Sequence, residues 1–460
     1  MAMSGEEPAR RMCCRRVRDQ PRWFPGCASG GARWGGHKIA GMPDQVGRRL
    51  DLRSLLAAVE VAPPVAAVDV FAAELGARLG AEEVGFLISD FNGSALVRLS
   101  HRGGGGGAHR SRGADAAETV PLTGTRYEHV VRTQQPQAYP GDGGTWVLAP
   151  VTDRGDVIGV LEMLLPAEPD ADIIDYIGAA AHALGYVVIV NRRFTDLFEW
   201  GQRSQPFSLA AEIQRRLLPT SLTCEAGQFT VAGAVEPAGN VGGDTFDYSL
   251  DRDTLHVSLT DAMGHEEDAA LLASLLVGSL RNSRRSGATL AEQAARANSA
   301  LLQHARPDQF VTGQLLRVDL TAGTAAMVNA GHPHPLRTRD GRVEDVEVTA
   351  DPPFGIVPDV GYRVQPVALQ PGDRLVFVTD GLLERNAATA DVIGLVAATS
   401  DLHPREVVQE LTRAVLRAVG GKLRDDATAL CLDWYGGGER DREVDAGANQ
   451  QGASAPRADS

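Results

Sequence analysis

Residues 255–265 read Leu-His-Val-Ser-Leu-Thr-Asp-Ala-Met-Gly-His, a largely apolar run that ends at an aspartate. Runs of apolar and β-branched residues of this length are typical of strands, so Asp261 is predicted to lie at a strand end. The same arrangement returns at residues 375–381, where Leu-Val-Phe-Val-Thr precedes Asp380 and Gly381. The chain is therefore predicted to present carboxylates at the ends of separate strands.

Two further aspartates lie beside strand-like runs. Asp244 follows the pair Gly242-Gly243, and Asp425 precedes the run 427–432. Each of the four aspartates taken alone is an ordinary turn residue. Carboxylates brought together from several strand ends would repel one another unless a hard cation lay between them, and Mg²⁺ and Mn²⁺ prefer such oxygen ligands. The set predicts a divalent metal site.

Length and composition set the outer bounds of the prediction. A chain of 460 residues is long enough for two or three domains. Its formal net charge of −14 argues against broad nucleic-acid binding, which needs a basic surface. The five cysteines form no disulfide framework, the apolar run 177–190 is shorter than the ~20 residues of a membrane span, and the N-terminus lacks a secretory signal. We expect a cytoplasmic protein without a membrane span.

Composition shifts divide the chain into five segments. These are a disordered basic N-terminus at 1–49, an α/β domain at 50–192, a helical linker at 193–219, a second domain at 220–435 and a disordered polar tail at 436–460. In the second domain, paired strands are followed by two helices and then by further strands. That order predicts an α+β domain, an α-β-β-α sandwich in which helices flank two packed sheets.

Residues 146–165 predict a strand pair around the charged turn Asp153-Arg154-Gly155-Asp156, followed by a long helix. Together with Leu148-Ala149-Pro150-Val151 and Val157-Ile158-Gly159-Val160-Leu161, this order resembles a GAF domain, a bacterial sensory module. The resemblance implies a possible small-molecule ligand in residues 50–192, whose identity the sequence does not give.

The helix that closes this domain carries a heptad pattern. The repeating positions are Ile177, Ala180, Leu184, Val187, Asn191, Phe194 and Phe198. Such spacing is typical of a coiled coil, which would give a homodimer through helix 170–200, with Asn191 fixing the register. It is equally typical of an amphipathic helix packed on the sheet of its own domain.

Several motifs between residues 235 and 432 occur in the order found in one enzyme family. They are Gly242-Gly243-Asp244, Asp261-Ala262-Met263-Gly264-His265, Phe310-Val-Thr312, Asn329-Ala-Gly331-His332-Pro333, Pro353-Phe-Gly355, Pro371-Gly-Asp373, Thr379-Asp380-Gly381 and Asp425-Asp426-Ala-Thr428. This part of the chain resembles the PPM-type metal-dependent serine/threonine phosphatases, the protein phosphatase 2C fold, in the bacterial SpoIIE-type branch. Residues 212–219 also resemble the entry helix of that family.

The resemblance implies a phosphatase with two Mn²⁺ or Mg²⁺ ions. Asp244 and Asp261 would bind both ions, the Ala262 carbonyl would be a further ligand, and Asp380 and Asp425 would complete the coordination. A metal-activated water would hydrolyse phosphoserine or phosphothreonine. The implied substrate is a regulatory protein, an anti-sigma factor antagonist, and the GAF-like domain would control the rate.

Some features leave alternatives open. Glu266 replaces the glycine usual in the family, and His265, His332 and His334 suit either general acid catalysis or structural hydrogen bonding. Asp373 is interpreted as a turn residue. The domain at 220–435 is alternatively a module that binds a phosphoprotein without turnover, and the whole chain is alternatively a ligand-sensing dimeric scaffold.

Overall fold

The computed structural model describes residues 51–102, 118–204, 207–238, 242–264, 266–306, 308–385, 391–420, 423 and 425–449. All of them belong to one compact unit, Arg48–Ser460. The predicted disorder of residues 1–49 falls outside the described residues, as do the last eleven residues of the chain.

The first domain is a six-stranded antiparallel sheet with helices on its faces. Its strands are β1 (Glu83–Ser89), β2 (Ala95–Arg102), β3 (Thr119–Pro121), β4 (Gln137–Gly141), β5 (Gly144–Asp153) and β6 (Asp156–Leu165), in the order β3-β2-β1-β6-β5-β4. Its helices are α1 (Leu52–Val61), α2 (Ala67–Leu79), α3 (Arg126–Thr133) and α4 (Ala171–Asn191). The strand pair β5–β6 and the helix after it lie where the sequence predicted them. The GAF-like interpretation stays a prediction.

The apolar face of helix α4 packs on the sheet of its own domain. Ile177, Ala180, Leu184 and Val187 are buried in the cluster that also holds Phe86 of the sheet. These heptad positions are thus used inside the protomer, and the packed-helix alternative is the one observed. The sheet offers this apolar stripe a closer partner, and the homodimer through helix 170–200 stays a prediction. Helix α4 is also long and apolar enough to cross a membrane, judged by length and hydropathy alone. This is weak evidence for a membrane span, because the apolar stripe is buried against the sheet.

Two short helices connect the domains, α5 (Leu197–Gly201) and α6 (Leu209–Leu217). Helix α6 begins at Ser208, whose side chain accepts a hydrogen bond from the Ala211 backbone and so caps the helix N-terminus. It ends before Pro219, as predicted for residues 209–217.

The second domain has two antiparallel sheets. Its strands are β7 (Thr223–Glu225), β8 (Phe229–Glu236), β9 (Asp244–Leu250), β10 (Thr254–Ala262), β11 (Val311–Asp319), β12 (Ala325–Ala330), β13 (Leu336–Arg339), β14 (Arg342–Asp345), β15 (Gln365–Val367), β16 (Arg374–Val378) and β17 (Ala427–Trp434). One sheet has the order β15-β12-β11-β10-β9, and the other has the order β14-β13-β16-β17-β8-β7. Its helices are α7 (Glu266–Arg285), α8 (Leu290–His304), α9 (Val392–Ala398) and α10 (Pro404–Ala418).

Three apolar clusters account for the packing of this mixed α/β domain. One holds residues of both sheets, such as Phe246 of β9 and Phe377 of β16. A second packs α7 and α8 on the five-stranded sheet, and a third packs α9 and α10 on the six-stranded sheet. Strand ends from the two sheets therefore come close together at the edge of the shared cluster.

Residues 436–449 follow β17 and pack against both domains. The buried carboxylate of Glu225 accepts hydrogen bonds from Arg442 (2.7 Å) and from the backbone of Asn449 (2.8 Å). The Gly447 backbone donates to Thr152 of the first domain at 3.2 Å. This part of the predicted disordered tail is therefore ordered, because its polar groups add hydrogen bonds to a carboxylate that is buried between the two domains.

Candidate metal centre

The pairing of β9 with β10 places Asp244 directly opposite Asp261. Side chains at such paired positions have Cβ atoms about 4.5–5.5 Å apart, where like charges repel. Gly243 precedes Asp244, and a Cβ built on it would lie 2.6 Å from the Ala262 carbonyl oxygen. Only glycine allows this approach of the two chains, which explains the Gly-Asp pair of the first motif.

The second sheet reaches this pair through Thr379. Its hydroxyl donates to Asp244 Oδ2 at 2.7 Å and accepts from the Thr428 backbone N–H at 3.1 Å. Since the threonine hydroxyl has one proton and an N–H already donates to it, that proton is directed at the Asp244 carboxylate. Thr379 thereby fixes the orientation of Asp244 from the neighbouring strand.

The other two aspartates are close in the chain to the two threonines that this bond joins. Asp380 follows Thr379, and Asp425 precedes Thr428. A Cβ on Gly381 would fall 1.8 Å from the Asp426 carbonyl oxygen, so the segments that carry the two aspartates touch at a position where only glycine fits. Both aspartates are half-buried, and each raises the pKa of Asp261 by its negative charge. The structure therefore brings all four predicted aspartates to one region.

The electrostatics of the cluster are unfavourable for ionised carboxyl groups. Burial, and then the charges of Asp380 and Asp425, raise the pKa of Asp261 to about 7. Burial, and then the charges of Asp261 and Asp426, raise the pKa of Asp244 well above its usual range. A hydrogen bond between Asp244 and Asp261 offsets part of this cost. Positive charge placed among these groups would relieve the repulsion.

Asp426 differs from its neighbour Asp425, because the chain itself uses its carboxylate fully. It accepts hydrogen bonds from the backbone of Ala238 (2.8 Å) and Gly243 (3.2 Å) and from the Gln214 side chain (2.8 Å). Asp426 therefore positions the backbone around the cluster, and Asp425 is the one of the pair that suits a ligand role.

The chemistry of the donor set fits Mg²⁺ or Mn²⁺, since Asp244, Asp261, Asp380, Asp425 and the Ala262 carbonyl offer oxygen atoms only. Among the residues that the structure describes, no group of three or more His, Cys, Asp or Glu side chains is spaced to hold a metal ion. The four aspartates lie in one region and offer suitable oxygen donors, and their assignment as metal ligands stays a prediction.

Gln214 of α6 is a site residue that sequence reasoning missed. Its amide donates to the Asp244 carbonyl oxygen and to Asp426 Oδ2, each at 2.8 Å. The sequence placed this helix but gave no sign that one of its polar side chains is buried at the metal centre. The connecting helix is therefore bonded directly to the carboxylate cluster.

Two of the three candidate histidines lie among the described residues, and they differ in burial. His332 is buried, bonds Thr312 Oγ1 at 2.8 Å, and has its backbone held by Asn329. Burial lowers its pKa to about 4, so it is neutral near pH 7 and suits the structural alternative. His334 is exposed, and His265 lies outside the described residues.

Two further acidic residues have structural partners. Asp247 of β9 binds Arg281 and Arg284 of α7 at 3.0–3.2 Å, which anchors that helix to the sheet. Asp373 binds Arg339 and the Gln370 backbone, in agreement with its interpretation as a turn residue. Neither belongs to the ligand set.

Comparisons with known proteins agree with the family resemblance. Residues 251–435 match the family described as Stage II sporulation protein E (SpoIIE). Asp261, Ala262, Asp380 and Asp425 lie inside this match, and Asp244 lies just before it. The chain is 22% identical over 231 residues to the phosphoserine phosphatase RsbU of Bacillus subtilis, covering 49% of this chain and 68% of that protein.

Two other similar proteins cover comparable parts of the chain. The phosphoserine phosphatase RsbP of Bacillus subtilis is 22% identical over 185 residues, covering 39% of this chain and 45% of that protein. A crystal structure of RsbU and RsbW domains from Mycobacterium tuberculosis is 27% identical with a TM-score of 0.41, covering 46% of this chain and 63% of that one. The predicted resemblance is confirmed for the second domain, whose residues 251–435 match the model of the SpoIIE family.

Proposed function

We propose that this protein is a metal-dependent serine/threonine phosphatase that acts on a phosphorylated regulatory protein of the anti-sigma factor antagonist type. The observation that carries the proposal is the convergence of Asp244, Asp261, Asp380 and Asp425 at the ends of strands from two sheets. The names of the relatives support it, because RsbU and RsbP are both phosphoserine phosphatases. The reducing cytoplasm is the proposed location, since the described cysteines, Cys224 and Cys431, are buried free thiols.

The four aspartates and the Ala262 carbonyl would hold two Mn²⁺ or Mg²⁺ ions. When bound, such ions supply positive charge to the phosphoryl oxygens and acidify a water molecule. The chain contributes the placement of its carboxylates: Thr379 orients Asp244, and Asp426 fixes the backbone of Gly243. These bonds reduce the reorganisation that the centre would need during the reaction.

We further propose that residues 50–192 regulate the rate. Several hydrogen bonds join this domain to the second one. Asp156 accepts from the Ser221 hydroxyl at 2.8 Å and from the Leu222 backbone at 3.3 Å, and Arg405 donates to the carbonyl oxygen of Val131 at 2.9 Å. Gln214 then links the connecting helix α6 to Asp244 and Asp426. A change in the first domain thus has a bonded route to the metal centre.

The function is tested with the purified full-length chain and Mn²⁺, on an aryl phosphate and on a phosphorylated anti-sigma factor antagonist. We expect Mn²⁺-dependent release of phosphate, reduced by on the order of 100-fold in Asp380→Asn, because even partners that only orient a metal ligand cost about 10–100-fold when mutated. Asp319→Asn is the matched control. Asp319 pairs with Thr254 at the end of the β10–β11 strand pair that is opposite to Asp261.

Absence of metal-dependent release from both substrates would refute the catalytic proposal. Binding of the phosphoprotein without turnover would instead establish the non-catalytic module. Regulation is tested separately with Asp156→Ala, which removes the acceptor of the Ser221 and Leu222 hydrogen bonds between the domains and leaves the metal centre intact. A changed turnover rate supports coupling, and a rate equal to that of the unmodified chain counts against it.

A further inference from the structure

A cavity of about 270 Å³ lies between the two domains, and its lining includes none of the four aspartates of the metal centre. Its walls come from the loop after β1, the end of α4, the linker helices, β8 and α10. The volume is near the lower end of the ~300–1,000 Å³ range of small-molecule sites, so it suits a small metabolite. Nothing in the proposed phosphatase reaction uses it.

One side of the cavity is formed by three arginines, Arg192 of α4 and Arg215 and Arg216 of α6. Arg192 and Arg215 share the carboxylate of Glu199, which Arg192 binds at 3.3 Å and with which Arg215 also pairs. Arg216 binds the carboxylate of Glu212 at 3.2 Å, and Arg215 lies 4.0 Å from the same group. Three guanidinium groups against these two carboxylates leave one positive charge in excess at this wall.

The mutual repulsion of these arginines supports the same conclusion. Burial, and then the charges of Arg216 and Arg192, lower the pKa of Arg215 to about 10. A fourth arginine, Arg405, lies across the cavity and donates to the carbonyl oxygens of Val131 and Arg132. Its buried Nε has no hydrogen-bond partner among the described residues. The cavity is therefore lined by a hydrogen-bond donor without an acceptor and by an excess of positive charge.

The acidic residues of the cavity do not satisfy that capacity. Asp90 accepts from Ser94, Ala95 and Ser204, and Asp156 accepts from Ser221 and Leu222. Burial, and then the charge of Asp90, raise the pKa of Glu236 to about 7, so near neutral pH it is protonated in a large fraction of molecules and then donates a hydrogen bond.

We infer that this cavity binds a small oxyanion, a metabolite with a phosphate or carboxylate group, held by the guanidinium groups of Arg192, Arg215 and Arg216. Planar guanidinium groups match both kinds of anion with paired hydrogen bonds. The site is independent of the proposed phosphatase activity, and it lies between the domains rather than within the GAF-like domain alone.

The test is a calorimetric titration of metal-free, full-length protein with inorganic phosphate and, separately, with malonate, at an ionic strength held constant with chloride. Metal-free protein keeps the phosphate from binding through a cation at the carboxylate cluster. We expect saturable binding of at least one anion, weakened about tenfold or more in Arg192→Gln and Arg215→Gln. The anion that binds identifies the ligand as a phosphate or a carboxylate.

Two variants keep the result interpretable. Arg216→Gln should also weaken binding and retain the fold, because the Arg216 side chain is 61% exposed. Arg78→Gln is the control, since Arg78 is 16% exposed, close to the 15% of Arg192, and lies on α2 beside Glu74. Binding of neither anion, equal affinity in the cavity variants, or equal weakening in Arg78→Gln would overturn the inference. Loss of phosphatase activity would leave it standing.

Discussion

The buried carboxylates at the two ends of strand β17 have different kinds of hydrogen-bond donor. At its C-terminal end, Asp433 forms an ion pair with Arg374 through two contacts of 2.6 and 2.8 Å, and Arg374 also donates to the carbonyl oxygens of Thr399 and Leu402. At its N-terminal end, Asp425 and Asp426 join Asp244 and Asp261, and the donors to Asp244 and Asp426 described above are neutral groups.

The difference separates a structural ion pair from a candidate reactive centre. Where the chain supplies its own cation, the buried charge is complete and the strand is anchored. Where it supplies only neutral donors, Asp244 and Asp261 keep raised pKa values, and an external cation would relieve the repulsion between them. Substitutions at the two ends should therefore affect different properties.

The largest effect is expected from Asp261→Asn, in the carboxylate cluster beside the N-terminal end of β17. Loss of a metal-ligand oxygen should reduce Mn²⁺-dependent phosphatase activity on the order of 100-fold or more, given the ~10–100-fold cost of altering even an outer partner. Removing one repelling charge should leave the free energy of unfolding without metal equal or higher. Activity assays and urea unfolding with and without Mn²⁺ check both. Full activity in the variant would remove Asp261 from the centre.

Asp433→Asn should instead reduce stability and leave activity per folded molecule unchanged. The substitution leaves the Arg374 charge buried without its partner, which costs about 3–5 kcal/mol of unfolding free energy. Urea unfolding measures the loss. The double variant Arg374→Met, Asp433→Leu should recover much of it, because an apolar pair of similar volume replaces the buried charges. A single variant as stable as the parent would show that this ion pair contributes little.

Thr379→Val tests the bond that joins the two sheets at the centre. It removes the donor to Asp244 and the acceptor for the Thr428 backbone N–H. The apparent affinity for Mn²⁺ should fall about 10–100-fold, as for other groups that orient a ligand. Thr379→Ser retains the hydroxyl and should behave like the parent in a metal titration. If the valine variant binds Mn²⁺ as the parent does, Thr379 does not position Asp244.

The smallest effect concerns pH and Glu236, whose backbone pairs with Ala427 at the same end of β17. Burial, and then the charge of Asp90, raise its pKa from 4.5 to about 7. Between these values the folded state holds a proton that the unfolded state has lost, so stability falls as pH rises across the interval. Glu236→Gln should reduce the slope of the unfolding free energy against pH by the equivalent of up to one bound proton.

Urea unfolding between pH 5 and 8 measures this slope. Glu410→Gln is a suitable control, because Glu410 is a partly exposed residue of α10 paired with Arg413 and Arg417. A slope unchanged in Glu236→Gln would show that Glu236 titrates normally in the folded protein.

Much of the second domain was predictable from local sequence. The strand-like run 427–432 forms most of β17, and the segment 193–219, predicted to be a helical linker, holds α5 and α6. Strand β9 was not predicted, because Asp244, Thr245 and Asp247 make it look like a turn. Those polar residues are buried only because Thr260, Thr379 and Arg281 lie opposite them.

The aspartates of the centre were predictable as a set, whereas the groups that hold them were not. Asp244 and Asp261 stand out at strand ends, but the roles of Gln214 and Thr379 depend on contacts between residues 30 and 135 positions apart. The heptad pattern of α4 left two partners open for the same reason: periodicity identifies an apolar face but not the surface that covers it. Tertiary packing decided both cases.

The segment after β17 has a practical consequence for where the enzyme domain ends. Arg442 and Asn449 bind Glu225, and His403 binds the same carboxylate at 2.8 Å. A fragment trimmed at residue 435 would leave His403 as the one remaining partner of the three on a buried acid. Its lowered stability would then be mistaken for a property of the catalytic domain. A fragment of the second domain should therefore extend at least to residue 449.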